Sequence, residues 1–189
     1  TDALADTLGH FFPELGAWFA GVGEARKSGT ARFPLPTLLL LGTFMFVAHS
    51  GSRNLFNGML RDSGALGRTL ADILGSGPDA LPHLDTLEKA LRGVPPEGLE
   101  AVRALCVRRL IRMKALDGWR SGGRFLLAVD GTGLWSFRER HCPHCVKTEH
   151  SPGAVTYSHK LLVAFIISAD GYALPVACEV IENPGEAYD

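Results

Sequence analysis

The hydrophobic periodicity of this chain changes at the triplet Ser121-Gly122-Gly123. Before the triplet, apolar residues recur at intervals of three and four, the spacing that places them on one face of an α-helix. After it, they come in continuous or alternating runs, as in β-strands. The change predicts an α+β chain with a helical region over residues 1–120 and a strand-rich region over 121–189.

The helical region carries several predicted helices, and two of them constrain function. The most apolar stretch, 38–48, is much shorter than the roughly 20 residues of a membrane helix. We therefore expect a buried helix and no membrane partner. Asp85 and Glu88 are spaced as in a capping box, which predicts a helix start at Asp85. The predicted ranges are 1–24 with a break at Pro13, 37–49, 53–61, 65–74, 85–93 and 96–117.

The last predicted helix of this region is rich in basic residues. A net charge of −1 gives the whole chain no attraction to nucleic acid, so a nucleic-acid contact has to be local. Clustered arginines can neutralise DNA phosphates, which would give 1–120 a DNA-binding or dimerisation role. The alternative is a solvated outer helix face, which is the commoner role of such a charge pattern. The basic residues concerned are Arg103, Arg108, Arg109, Arg112 and Lys114.

A single acid follows the apolar run that opens the strand-rich region. Residues 125–129 are continuously apolar and meet Asp130, after which come Gly131-Thr132-Gly133. The run predicts a strand that is buried on both faces and ends at the acid. Such a carboxylate is either a ligand for Mg²⁺ or Mn²⁺ or the cap of a turn. A dehalogenase-type phosphatase needs a nucleophilic carboxylate two residues earlier, where this chain has Ala128.

Two further strands are predicted over 160–168 and 172–181. The dipeptide Asp170-Gly171 between them is typical of a tight hairpin turn. The second of these strands contains Pro175, which cannot donate to a β-ladder. We therefore expect three antiparallel strands in chain order, with the last one at an edge or at a bulge.

A Cys-x-x-Cys pair, Cys142 and Cys145, lies in a polar segment over 136–158 that we interpret as a loop insertion. Two thiolates at this spacing can hold one side of a tetrahedral zinc ion. A thioredoxin-like redox role is less favoured because the pair does not lie at the start of a helix that follows a strand. A surface loop without a ligand is the remaining alternative. The four cysteines are too few for a disulfide framework, which favours reduced thiols and a cytoplasmic location. The histidines near the pair are His141 and His150, the predicted partners, and further along His159.

Four of these segments together resemble one family. They are the nonapeptide around Asp130 (Ala-Val-Asp-Gly-Thr-Gly-Leu-Trp-Ser), the 141–145 loop, and the segments 156–162 and 174–183. They resemble the start of the catalytic domain of bacterial insertion-sequence transposases of the DDE class. The resemblance covers residues 125–185 and is loose over residues 1–80.

The resemblance implies an RNase H-like fold with Asp130 as the first of three catalytic carboxylates. These carboxylates bind two Mg²⁺ or Mn²⁺ ions for phosphodiester cleavage and strand transfer. It also implies that the partner is DNA and that the full-length enzyme is a homo-oligomer. The implied location is the cytoplasm, with association to the nucleoid when the enzyme is bound to DNA. The later acids of the family lie beyond the third strand, so Glu179 and Glu182 do not match them.

We therefore expect a fragment without the second and third acids, and the two chain ends, Thr1 and Asp189, agree with a cut piece. In an RNase H-like sheet the first strand lies between the second strand and a fourth strand. We expect that fourth strand to be missing here, so one edge of the first strand should be unpaired and should promote self-association. The alternative is a non-catalytic DNA-binding or zinc-stabilised interaction module.

Overall fold

A computed structural model of the chain describes residues 2–24, 26, 31–62, 64–74, 81–140, 142–151 and 153–182. The chain forms two compact units, Thr1–Arg109 and Leu110–Asp189. The first is helical and the second contains an antiparallel sheet, which confirms the α+β class. The division between the two units lies inside the last helix. Gly122 and Gly123, at the border expected from the sequence, form a hairpin turn with positive φ.

The helical unit is built around one apolar core. Its deepest side chains include Leu38, Leu41 and Phe56, all completely buried. A Cβ on Gly42 would lie 2.6 Å from Leu87 Cδ2, so this glycine permits the third and sixth helices to pack closely. The helices are α1 (Asp2–Phe11), α2 (Leu15–Ala20), α3 (Leu35–Val47), α4 (Arg53–Asp62), α5 (Gly64–Ile73), α6 (Leu84–Leu91) and α7 (Pro96–Arg112).

Two details of the predicted helices are wrong. The N-cap of α6 is His83, whose Nδ1 accepts a hydrogen bond from the Asp85 backbone N–H at 3.3 Å. No capping box forms, because the Glu88 carboxylate instead pairs with Arg53 of α4. Helix α7 ends at Arg112 rather than near residue 117, and Lys114 just beyond it has a φ of 60° that a helix cannot continue.

The sheet unit is organised around its central strand, β4. Strand β4 pairs with β2 along one edge and with β3 and β5, one after the other, along the opposite edge. All these pairings are antiparallel, and β2, β4 and β5 correspond to the three strands predicted in chain order. The strands are β1 (Arg120–Ser121), β2 (Arg124–Phe137), β3 (Val146–Ser151), β4 (Ala154–Ile167) and β5 (Ala173–Ile181).

The predicted position of Pro175 is confirmed. Strand β5 pairs only with β4, so it is an edge strand among the described residues. Its register shifts where Phe165 faces Pro175 while Ala164 faces Ala177. The preceding turn has Gly171 at a φ of 84°, a conformation that glycine adopts without strain.

Strand β2 differs from its prediction in two ways. It continues through Gly131-Thr132-Gly133 to Phe137 instead of ending at Asp130. It is also not buried: Leu126 and Leu127, which lie on opposite faces, are each 60% exposed because the described residues of the sheet unit form no second layer over either face. Beyond the two residues that pair with β1, its outer edge has no partner strand in the described part of the chain.

The segment 136–158 is not simply a loop. It contains β3, which forms a hairpin with β4 and so extends the sheet. Among the described residues, no helix is long and apolar enough to cross a lipid bilayer.

Candidate metal centre

Cys142, Cys145 and His159 form a group of three metal-ligating side chains in the sheet unit. The two Sγ atoms are 3.8 Å apart, and each lies 3.6 Å from His159 Nε2. In a tetrahedral zinc site, with Zn–S of about 2.3 Å and Zn–N of about 2.0–2.1 Å, the sulfurs are about 3.8 Å apart and each is about 3.6 Å from the nitrogen. The three atoms therefore already have the separations of three corners of a zinc tetrahedron, and the group can hold a metal ion.

The two cysteines are held by a tight turn between β2 and β3. The backbone N–H of Cys145 donates to the Cys142 carbonyl at 3.3 Å, which closes the turn. The Arg140 guanidinium donates to the carbonyls of Cys142 and Pro143. Cys145 is buried and Cys142 is half-buried. These hydrogen bonds therefore position the sulfur atoms of the two cysteines.

His159 comes from β4 and is flanked by two aromatic rings of β2. It pairs in register with Trp135, and the Trp135 and Phe137 rings each meet the imidazole edge-on with centroids 6.3 Å away. These contacts restrict the rotation of the imidazole. A metal ion bound here would connect the turn that follows β2 to the central strand of the sheet.

The predicted metal ligands are only partly brought together. Cys142 and Cys145 lie in the group, and His141 is outside the described residues. The third ligand is His159 rather than His150, whose Nε2 instead lies 2.7 Å from Thr156 Oγ1. Spacing alone favoured the nearer histidine. The β2–β4 pairing, which brings His159 to the cysteine turn, is the signal that would have identified it.

Asp130 lies in the middle of β2, directly opposite Val163 of β4. Its carboxylate is exposed and accepts a hydrogen bond from the Gly131 N–H at 2.8 Å. His159 is on the same sheet face, four residues before Val163, about 13 Å along the strand at β-strand spacing. In the described part of the chain no other acidic or metal-ligating groups gather around Asp130.

The later acids of the chain do not complete a site with Asp130. Glu179 pairs with Leu162, which faces Gly131, so its side chain is on the opposite face of the sheet. Glu182 follows β5, and its carboxylate contacts His144 Nδ1 at 2.5 Å, beside the cysteine turn. The structure therefore brings no second carboxylate to Asp130 from these two positions.

The five basic residues predicted for DNA binding separate into two groups. Arg103 pairs with Glu100, and Arg109 donates to the Phe11 carbonyl and pairs with Glu14 at 3.1 Å. Arg109 therefore connects α7 to the end of α1 and to the segment between α1 and α2, whereas the Arg103 pair lies within α7 itself. The other three, Arg108, Arg112 and Lys114, are exposed and have no ion-pair partner among the residues described.

The remaining cysteines lie apart from the group. Cys106 packs against the helical core, and burial raises the pKa of its thiol. Cys178 is half-buried in β5.

Compared with known proteins, the chain matches no family model, no curated protein and no solved structure.

Proposed function

We propose that this chain forms the first sheet of an RNase H-like, DNA-cutting catalytic domain of an insertion-sequence transposase. The observation that carries the proposal is the antiparallel order β2–β4–β5, with Asp130 in β2. Beyond the two residues that pair with β1, the outer edge of β2 has no partner strand among the described residues. In this arrangement a further strand beside β2 would bring another residue close to Asp130. The free edge therefore lies where a second catalytic carboxylate is needed.

Asp130 suits the role of a first metal ligand. Its carboxylate is exposed, and one of its oxygens accepts a hydrogen bond from the adjacent Gly131 N–H. Mg²⁺ or Mn²⁺ ions in such a site generate the nucleophile and stabilise the leaving oxygen during phosphodiester cleavage. Because a two-metal site needs several carboxylates, this chain alone should bind Mg²⁺ weakly and should not cut DNA.

Zinc at Cys142, Cys145 and His159 has a structural role in this proposal, with His141 as the fourth ligand. A closed set of four sulfur and nitrogen ligands is typical of structural rather than catalytic zinc. The ion would hold the turn after β2 against β4, on the sheet face that also presents Asp130. The metal therefore supports the strand that carries the proposed catalytic acid.

DNA contacts in this proposal come from Arg108, Arg112 and Lys114 at the C-terminal end of α7. Arg108 and Arg112 are one helical turn apart and both are exposed. Unpaired cations at this spacing can follow a phosphate backbone. Because Arg103 and Arg109 already have partners within the helical unit, we leave them out of the proposed contact.

The enzymatic proposal is tested with the complete gene product that contains this sequence. We expect Mg²⁺-dependent cleavage of insertion-sequence DNA that Asp130→Asn abolishes and Asp170→Asn preserves. Asp170 is the matched control because it undergoes the same chemical change in an exposed hairpin turn. Full cleavage by Asp130→Asn would disprove the role of this acid. Robust Mg²⁺-dependent nicking by the 189-residue chain alone would instead show that the site needs no further carboxylates.

The assembled Cys142–Cys145–His159 group also favours a second candidate function, a zinc-stabilised interaction module without catalysis. Elemental analysis together with the cleavage assay separates the two. Zinc near one equivalent with no cleavage by the complete product supports the interaction module. Zinc near one equivalent with cleavage that depends on Asp130 supports the transposase.

A further inference from the structure

We propose that a groove on the sheet face opposite the metal group binds a phosphate group. The groove has a volume of about 440 Å³ and lies across β2, β4 and β3. On β4 it is lined by Ser158 and Lys160, the two neighbours of His159, whose side chains point away from the metal group because successive strand residues alternate in direction. Its polar side chains are Ser136, Thr148, His150, Thr156, Ser158 and Lys160.

The lining of the groove selects for an anion. Four hydroxyls, one imidazole and the Lys160 ammonium can all donate hydrogen bonds, and none of the lining residues is an acid. An ammonium among hydroxyls is a suitable set of donors for a phosphate oxygen, whereas a cationic ligand would find no countercharge. The groove therefore favours a negatively charged ligand that is rich in acceptors.

One buried hydroxyl lacks a partner. Ser158 is only 8% exposed, and its Oγ has no hydrogen-bond partner in the described part of the protein. A buried hydroxyl that is left unpaired is unfavourable. A phosphate oxygen on the floor of the groove would give this hydroxyl an acceptor.

Two irregularities in the sheet lie on opposite sides of the groove. The β2–β4 register shifts between Gly133 and Trp135, which makes Leu134 the extra residue. The β3–β4 register shifts between Glu149 and Ser151, which makes His150 the extra residue. Both extra residues line the groove, and bulges of this kind redirect side chains next to binding sites. Through its bond to Thr156 Oγ1, His150 is held at the rim.

The volume of the groove exceeds that of a bare phosphate ion. It lies within the range of about 300–1,000 Å³ typical of small-ligand pockets. Leu134 adds an apolar contact for the organic part of a phosphate ester. Two sources of the same chemistry fit: a free phosphomonoester, or a phosphodiester within a nucleic acid strand.

The test is calorimetric titration of the complete 189-residue chain with three probes: inorganic phosphate, adenosine monophosphate and a short oligothymidylate. We expect saturable 1:1 binding that Lys160→Gln weakens at least tenfold and Ser158→Ala weakens severalfold. Lys147→Gln is the matched control. It removes the same charge from the same hairpin, but Lys147 pairs with Tyr157 on the other face and its ammonium contacts Glu149. This control should change affinity less than twofold.

The outcomes separate the ligand sources. Tighter binding of the oligothymidylate identifies a nucleic acid strand, and tighter binding of the monophosphate identifies a free ester. The absence of saturable binding by all three probes would overturn the proposal, and so would equal weakening by Lys160→Gln and Lys147→Gln. Circular dichroism of each variant verifies folding, and Ser158→Ala provides an independent result if Lys160→Gln unfolds. No readout depends on DNA cleavage, so this inference can fail or stand separately from the proposed enzymatic function.

Discussion

The two units bury their apolar residues in opposite ways. In the helical unit, Leu38 and Leu41 of α3 are completely buried among neighbouring helices. In the sheet unit, Leu126, Leu127 and Val129 of β2 are each about 60% exposed. The helices form a core within their own unit, whereas a strand with apolar residues on both faces needs a covering layer on each. Among the described residues of its own unit, the sheet is therefore a single layer with apolar side chains exposed on both faces.

A zinc ion held by Cys142, Cys145 and His159 would supply part of the stability that the sheet lacks in packing. We expect chelation of zinc, or Cys145→Ser, to abolish the cooperative unfolding of the sheet unit, since structural zinc contributes folding free energy directly. The helical signal should change little. Thermal unfolding followed by near- and far-UV circular dichroism, combined with elemental analysis, measures both effects.

The control for that experiment is Cys178→Ser, which alters a thiol outside the metal group. It should retain zinc and the cooperative transition. Less than about a tenth of an equivalent of zinc in protein purified without chelator, where a structural site should hold close to one, would reject the zinc site. Replacing His141 by alanine should weaken zinc binding, and replacing His150 by alanine should not.

Matched leucine truncations test the difference in burial directly. Leu38→Ala should destabilise the helical unit by about 2–5 kcal/mol because it leaves a cavity in a closed core. The same truncation at Leu126 should cost less than about 0.5 kcal/mol, because most of that side chain is already in solvent. Urea unfolding of both variants measures the two values. Equal losses at the two positions would mean that β2 is covered in solution.

The unpaired edge of β2 should make the chain self-associate. An exposed apolar strand edge pairs readily with another chain, and a lysine on such a strand disfavours that pairing. In size-exclusion chromatography with light scattering, we expect the molar mass of the parent chain to rise with protein concentration. The Val129→Lys variant should stay monomeric. A concentration-independent monomer with cooperative unfolding would show that the edge is covered.

The smallest predicted effect concerns an ion pair on the helical unit. The Arg53 guanidinium, with a second contribution from Arg92, holds the pKa of Glu88 below its ordinary value of 4.5. The folded state therefore binds protons less readily than the unfolded state. This contribution to stability is complete above pH 4.5 and is lost as the pH falls through the lowered pKa.

Arg53→Gln should therefore lower the unfolding midpoint of the helical unit slightly at pH 7 and less at pH 3, which flattens the acid dependence of unfolding. Arg92→Gln should flatten it less, since Arg92 makes the weaker contribution. Chemical unfolding at pH 7 and pH 3 measures the change. Identical acid dependence in the parent and Arg53→Gln would contradict the assignment.

Local patterns predicted much of this fold. Apolar periodicity predicted the helices, and the missing N–H of Pro175 predicted that its strand lies at an edge or at a bulge. The described residues show both. Features that depend on residues distant in sequence could not be predicted from local patterns. Exposure of Leu126 depends on which layers are present, and the choice of His159 depends on the register between β2 and β4. The Glu88–Arg53 pair likewise joins residues that are distant in sequence, so the local capping pattern was misleading.

The two edges of the sheet also differ in how they can propagate an assembly. The edge opposite β2 is shared by two shorter strands, β3 and β5, and Pro175 removes a donor from β5. Growth is therefore favoured on the β2 side alone. When identical strands pair antiparallel, the two copies are related by a two-fold axis and use up the open edge of both. Association through β2 is therefore self-limiting and ends at a closed pair of chains instead of a fibre.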